Sequence, residues 1–547
     1  MRRKNRRPLI DEALTAAPAR TGRKNRPLTG PAAAPAGGLT GGLTTALPTA
    51  PDGAAGLGQS SDDEPVALHR RVIAPRRGWR GPAGGRAAHV EAGSVYLGTT
   101  SEVAGLFPFL QASGLPAEGV PIGPDLFSGE MVCLDPAGWV GTLTSNPGVW
   151  IQGQPGVGKS AFAKRMCLGL VGYGYTMLCP GDVKGEYRDL VTALGGQVVR
   201  IGRGLDRINP LDSGPLGRML TTLPASEQER LLAEVNARRS ELVHALLATT
   251  HGLGRRPSAT ESTALTTAIR LAVQASPGVD PTIPDVVATL RTPPAELLDK
   301  LLASTSEEYI ALTRELIAAM ENLCDGPLAG LFDAPTSTPL DLAAPAVSVD
   351  LSALLTAGDT VVAAGLLATW AYSYSALDTA RAFGLANRPV VLPLDELWRA
   401  LRAGPGMVDA MDAITRLNRS KGEVSLMLTH SLGDLQALPT AEDRAKAVGL
   451  MERCDTTVLA AMPSSELARF SGQKPLTDRE RQLVASWAAP TATGVDGTTQ
   501  IHPGRGRYLI KIGHRVGIPA ALELSDAERT LYDTDQAVRR QMKETTT

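Results

Sequence analysis

The octapeptide Gly153-Gln154-Pro155-Gly156-Val157-Gly158-Lys159-Ser160 constrains this chain more than any other segment. It matches G-x-x-x-x-G-K-[ST] at every specified position, follows the apolar run Val149-Trp150-Ile151 and leads into the helical pattern that starts at Ala161-Phe162-Ala163. Strand, glycine loop and helix in that order make a phosphate cradle. The glycines let successive backbone N–H groups curl around oxygens, and the helix N-terminus adds the positive end of its dipole. Lys159 is then placed to reach the β- and γ-phosphates, and Ser160 to ligate Mg²⁺. The predicted nucleotide-binding set is Gly153, Gln154, Pro155, Gly156, Val157, Gly158, Lys159, Ser160 and Ala161.

Beyond that loop the chain alternates short apolar runs with helical segments. The runs are Val149 to Ile151, Tyr175 to Leu178, Val198 to Ile201, Val347 to Val349, Val390 to Leu392, Leu426 to Leu428 and Thr457 to Leu459. Their apolar residues are successive, not alternating, so both faces are buried, which predicts a mostly parallel sheet in an α/β domain. Between Leu211 and Leu342 the strand pattern stops and helical spacing takes over. Ser226 and Glu229 read as a capping box, Gly252 as the end of that helix, and 258–275, 283–303 and 306–323 as further helices. Before the loop, Ser94 to Leu97 reads as a strand, 101–113 as a helix, and Val120 to Gly123 and Met131 to Leu134 as paired strands. So small a region is expected to pack on the larger domain after it. The predicted organisation is a basic Ala/Gly/Pro-rich disordered tail (1–92), a short β-rich region (93–147), the first part of a P-loop domain (148–212), an α-helical insertion (213–342), its second part (343–533) and a flexible end (534–547).

Composition sets limits. The 547 residues are 43 % hydrophobic and carry a formal net charge of −1, which excludes a wholly basic nucleic-acid coat and an acidic solvating chain. The charge is uneven: residues 1–95 hold 15 Lys/Arg against 7 Asp/Glu. Those basic clusters either touch anionic lipid or nucleic acid or form a solvated tail. The five cysteines have neither metal spacing nor a C-x-x-C pair, which excludes a disulfide scaffold and a zinc ribbon and points to the reducing cytosol. No apolar h-region follows the basic start, so export is not expected. No segment is expected to reach the roughly 20 apolar residues of a membrane span. The most apolar stretch, Val361 to Tyr372, reads as a buried helix.

Three further segments carry candidate chemistry. The run Val390 to Leu394 ends in Asp395-Glu396. Beside a P-loop this suits a carboxylate in the Mg²⁺ shell (Asp395) followed by a base that orients and deprotonates water (Glu396). Taken alone, the pair is equally a strand-end helix cap. Pro393 removes a ladder hydrogen bond from that strand, and a local bulge is expected there. Thr429-His430 ends the next run at the carboxyl edge of the sheet, where His430 either senses the γ-phosphate or is an ordinary strand-end polar residue. Arg416 and Arg419 precede that run, and are either arginines aimed at a neighbour's phosphate or a solvated basic helix end. The cluster Gly181 to Tyr187, and the glycine-punctuated hairpin from Pro503 to Pro519, read as turn chemistry.

The motifs in order are the P-loop, Asp182-Val183-Lys184-Gly185-Glu186-Tyr187, Leu194 to Ile201, Asn209-Pro210-Leu211, a helical insert, Asp395-Glu396, Arg416 and Arg419, Thr429-His430, and Met451 to Val458. Over roughly residues 94–530 this series resembles the cytoplasmic ATPase of conjugative type IV secretion systems. That family lies within the HerA–FtsK class of RecA-like P-loop ATPases, and the likeness is to forms carried on actinobacterial mobile elements. The resemblance implies hydrolysis of ATP with Mg²⁺, a homo-oligomer such as a hexamer, and a place at the cytoplasmic base of a secretion channel. The implied partners are channel proteins at the membrane face, with DNA as the cargo under the alternative of a DNA translocase of the same class. It assigns catalytic roles to Lys159, Glu396, Arg416, Arg419 and His430, and metal roles to Ser160 and Asp395. The long N-terminal domain usual in the family is replaced by the short β-rich piece. His430 stands where glutamine is usual; a neutral histidine hydrogen-bonds similarly but adds pH dependence.

Overall fold

The computed structural model describes residues 114–214, 224–382, 384, 388–402, 408, 411–412, 421–489 and 502–532. The chain divides into two units, 1–96 and 97–547, and every described residue lies in the second. The strand expected at Ser94 to Leu97, the helix expected at 101–113, the tail, Arg416 and Arg419 lie outside the described residues.

The described chain opens with an antiparallel pair, β1 (Val120–Pro124) and β2 (Met131–Leu134), in which Val120 faces Leu134. The pair packs on later elements, as its small size requires. Gly169, on the helix Lys159–Gly172, meets Val120 so closely that an added Cβ would lie 2.4 Å from a valine methyl.

The main sheet is built from β3 (Val149–Gln152), β4 (Thr176–Asp182), β5 (Gln197–Arg200), β6 (Ala346–Asp350), β7 (Val390–Leu394), β8 (Glu423–Thr429), β9 (Thr456–Leu459), β10 (Arg507–Ile512) and β11 (Ile518–Ala521). Their spatial order is β11-β10-β9-β3-β8-β7-β4-β6-β5. The strands from β9 to β5 are parallel and coincide with the apolar runs of the sequence; β10 and β11 add an antiparallel edge. Every residue of β3, β4, β7 and β8 is buried, which accounts for the unbroken apolar runs. The outer edge of β11 is covered by the chain leaving β1, where Leu126 N–H donates to Pro519 at 2.7 Å. A covered edge offers no template for foreign strands.

The bulge expected at Pro393 is absent. β7 keeps an unbroken register on β8 from Val390 to Leu394, and the irregularity falls instead on β4, between Cys179 and Asp182. β4 and β7 pair only at Thr176–Val390 and Met177–Val391. Beyond that point each strand carries a proline, Pro180 and Pro393, and a residue without an N–H cannot extend the ladder. The two strands therefore stop pairing before the ends that carry the acids.

Between β5 and β6 the described chain runs through helices Ala225–Leu247, Ala259–Ala275, Ile283–Arg291, Ala295–Lys300 and Ser306–Asn322. The first starts at Ala225 with Pro224 at its cap position, so Ser226 lies inside the first turn and not at a cap. It ends at Leu247, and Gly252 sits in the following turn against the Leu247 carbonyl. A capping box does form one helix later, at Ser258 and Glu261. The helix expected over 283–303 breaks at Pro293-Pro294, where ring and missing N–H stop propagation.

The expectation that no segment is long enough to span a membrane needs correction. Helix Asp359–Ala382 reaches that length and apolarity, because the alanines and polar residues flanking Val361 to Tyr372 continue the helix. Its apolar window is 72 % buried within the protein, and it packs against β4 and helix Ala225–Leu247.

Candidate active site

The carboxyl ends of β3, β8, β7 and β4 converge, and each delivers one part of the site. β3 delivers the glycine loop. Gly156 and Gly158 adopt φ of 78° and 101°, which L side chains resist. The ends of the loop are anchored: Gln154 N–H donates to Ala461 at 2.9 Å, and Gly506 N–H donates to Val157 at 3.0 Å. Ser160 lies in the first turn of the helix Lys159–Gly172, and its hydroxyl donates to the Asp395 carboxylate just after β7, at 3.0 Å. Two segments 235 positions apart are thereby joined at the phosphate cradle.

Lys159 is buried beneath the loop. Its ammonium donates to the carbonyls of Gly153 and Gln154 at 2.8 and 2.9 Å and meets His430 Nδ1 at 2.8 Å. Burial lowers its pKa to about 8, against the opposing pull of Asp395 and Glu396. His430 Nε2 lies 3.2 Å from Glu396 Oε1. With an ammonium donating to Nδ1, the ring carries its proton on Nε2 and donates it to the carboxylate. His430 therefore bridges the two residues that the sequence marks most strongly. The turn that carries it is fixed from behind: Trp150 Nε1 donates to Gln152, Gln152 to buried Glu466 at 2.9 Å, and Ser431 Oγ to Glu466 at 3.1 Å.

Asp395 and Glu396 are adjacent yet electrostatically opposite. Burial raises the Asp395 pKa, helped by the charges of Glu186 and Glu396. Burial also acts to raise that of Glu396, but hydrogen bonds from His430 and Lys184 outweigh it and hold this carboxyl well below the usual range. Glu396 also receives Trp398 Nε1 at 2.5 Å and adopts φ of 52°, uncommon for a residue with a side chain.

The Gly181 to Tyr187 segment, to which the sequence assigns turn chemistry and a place in the motif series but no role, reaches the site. Its Lys184 is ion-paired to Glu396, and Asp182 accepts the N–H groups of Glu186 and Tyr187 at 3.0 and 2.8 Å. The terminal hairpin likewise reads as a turn, yet it supports the loop. The available signal is weak: a lysine between glycines after a strand, and glycines spaced along a hairpin. The structure brings together Lys159, Ser160, Asp395, Glu396 and His430; Arg416 and Arg419 lie outside the described residues.

The fold is similar to that of a solved structure. VirB4 of Thermoanaerobacter pseudethanolicus is similar over 76 % of this chain and 99 % of its own, with a TM-score of 0.57 at 19 % identity. The fold is that of a RecA-like P-loop ATPase. Plasmid coupling protein TrwB in complex with ADP and Mg²⁺ aligns over 69 % of this chain and 86 % of its own, at 10 % identity and a TM-score of 0.45. The cytoplasmic domain of the type VII secretion ATPase EccC of Thermomonospora curvata aligns over 80 % of this chain and 34 % of its own, at 14 % identity and a TM-score of 0.29. No family model and no curated protein matches the chain.

Proposed function

We propose that this chain is an ATP-hydrolysing motor of a conjugative or type IV secretion-like machine, coupling hydrolysis to channel assembly or substrate transfer. The observation that carries the reading is the Ser160–Asp395 contact at 3.0 Å, with Lys159 in the loop and Glu396 next to the acid. A hydroxyl and a carboxylate oxygen fit a hard divalent cation. Among the described residues no group of three or more His, Cys, Asp or Glu could hold a metal alone. That suits Mg²⁺, which keeps waters and shares its shell with phosphate oxygens. Ser160 and Asp395 would hold the ion, and when bound it would neutralise developing charge on the phosphates.

In this reading the loop from Gly153 to Ala161 cradles the triphosphate with the N–H groups it leaves free, and Lys159 turns toward it. Glu396 orients the attacking water and takes its proton as the bond to the leaving ADP oxygen breaks. His430 relays the state of the lysine to the carboxylate. Positioning and electrostatics do nearly all the work in such transfers. We assign Arg416 and Arg419 to a neighbouring subunit's nucleotide, which requires a homo-oligomer, a hexamer in this reading. The match along 99 % of VirB4 supports the secretion setting. The partners are then channel proteins at the cytoplasmic membrane face, with DNA as a candidate cargo. The location is cytoplasmic, peripheral to the membrane's inner face.

The test is steady-state hydrolysis of Mg²⁺–ATP by the full chain. Lys159→Ala should abolish turnover, and Glu396→Gln should bind nucleotide without turning it over. Normal turnover in Lys159→Ala would overturn the site. Strong, salt-sensitive stimulation by DNA would turn the reading toward a DNA translocase of the same class. Binding without turnover in every oligomeric condition would make the chain a scaffold.

A further inference from the structure

The Glu396 carboxylate is crowded with donors. Oε1 takes both the Lys184 ammonium and His430 Nε2, and Oε2 takes Trp398 Nε1. Both lone pairs of Oε1, the oxygen on the side of His430 and Lys159, are thereby taken, while Oε2 is turned to Trp398 and keeps one. If Glu396 serves as the base through Oε1, as the proposed function holds, at least one of the donors on that oxygen must leave before each turnover.

The three donors differ in freedom. Trp398 lies two positions along the same turn, and its ring is covered by the guanidinium groups of Arg399 and Arg402 at 5.1 and 5.2 Å. His430 is held by Lys159 on one side and by the Glu466-anchored turn on the other. The Lys184 side chain is 44 % exposed, and among the described residues its hydrogen-bond partner is Glu396 alone. The backbone beneath it is fixed. Asp182 accepts two N–H groups of the loop, Leu351 N–H donates to the Asp182 carbonyl at 2.9 Å, and Arg188 is ion-paired to buried Asp350. Only the four-carbon stem of Lys184 has to swing, which is a side-chain rotamer change and not a loop opening. The surrounding charges are Lys159, Asp395 and Glu186, with Asp182 behind them.

We infer that Lys184 is a releasable clamp, a positioning residue that holds the Glu396 carboxylate idle and frees it when the stem swings out. The inference rests on the ATPase reading but concerns a residue which that reading leaves without a role. It makes basal turnover slow by construction, and any contact that draws Lys184 outward would raise it.

The experiment compares Lys184→Ala and Lys184→Arg with wild type in the full chain under Mg²⁺–ATP. Lys184→Ala should raise kcat by about 3–10-fold, the scale on which a half-exposed ion pair biases a population, with KM little changed. Lys184→Arg should restore wild-type rates. The Trp398 indole N–H resonance, assigned with Trp398→Phe, should move in Lys184→Ala and return in Lys184→Arg. A fall in kcat, a joint change of kcat and KM, or an unmoved indole resonance would overturn the clamp. Absence of turnover in wild type would sink the ATPase reading separately, and the indole resonance would still decide whether Lys184 sets the carboxylate.

Discussion

The phenol of Tyr508 donates to the carbonyl of Gly158 at 2.7 Å, joining positions 350 apart in the chain. Gly158 has φ of 101°, and a Cβ there would lie 2.8 Å from that phenol oxygen. The shape of the phosphate loop is therefore imposed from the terminal hairpin as well as by its own glycines. Tyr508→Phe keeps the ring against Phe162 and removes only the hydrogen bond. It should cost about 1 kcal/mol of stability and weaken nucleotide binding several-fold. Gly158→Ala should do worse, combining backbone strain with a clash. Urea unfolding and titration with a fluorescent nucleotide check both, and unchanged affinity in Gly158→Ala would remove the hairpin from the site.

Glu466 is the acceptor behind the site, buried and accepting hydrogen bonds from Gln152, Ser431 and Leu432. Glu466→Ala strands those donors and should destabilise the fold by about 2–4 kcal/mol. It should also lower kcat, because the turn bearing His430 loses its anchor. Full activity in a variant with reduced denaturation midpoint would separate this network from catalysis.

Lys164 is buried on the helix after the loop, 3.8 Å from Glu186 and 5.8 Å from the rings of Tyr187 and Tyr532. Burial lowers its pKa, with Glu186 opposing. Replacing a whole buried ion pair by apolar groups is often neutral or stabilising, whereas removing one partner leaves the other charge uncompensated. The double change Lys164→Met with Glu186→Leu should therefore unfold at equal or higher denaturant than wild type, and Lys164→Met or Glu186→Ala alone at clearly lower. The reverse ranking would show that this ion pair is a net support of the fold.

Burial raises the Asp182 pKa from an ordinary 3.8 to about 7, with Asp350 and Asp395 adding to the shift and the N–H groups of Tyr187 and Glu186 opposing it. The folded chain keeps this proton where the unfolded chain has lost it. The contribution is full below about pH 4 and lost as pH rises through about 7. Asp182→Asn has no such proton, so its stability relative to wild type should climb from pH 4 to pH 7 and then level. Unfolding curves across that range test it, and a flat difference would mean that Asp182 titrates normally.

The parallel strands are legible because a strand buried on both faces must be apolar at successive positions, as Val390 to Leu394 is. The break in the insert is hidden because apolar spacing continues through Pro293-Pro294. The length of helix Asp359–Ala382 is hidden because its flanks are small or polar yet still helical. Lys184 is unreadable for another reason: a lysine in a turn looks the same whether it faces solvent or an acid 212 positions away.

By itself the sequence determined the glycine loop, the strand-ending Asp395-Glu396 pair and the α/β class, because each depends on backbone preferences and burial periods within a few residues. Only the tertiary structure decided which side chains meet there. The strand order places β8 between β3 and β7, so His430 comes to lie between Lys159 and Glu396, and the end of β4 brings Lys184 to the same carboxylate. Such pairings arise from how distant strands stack, which no local pattern encodes.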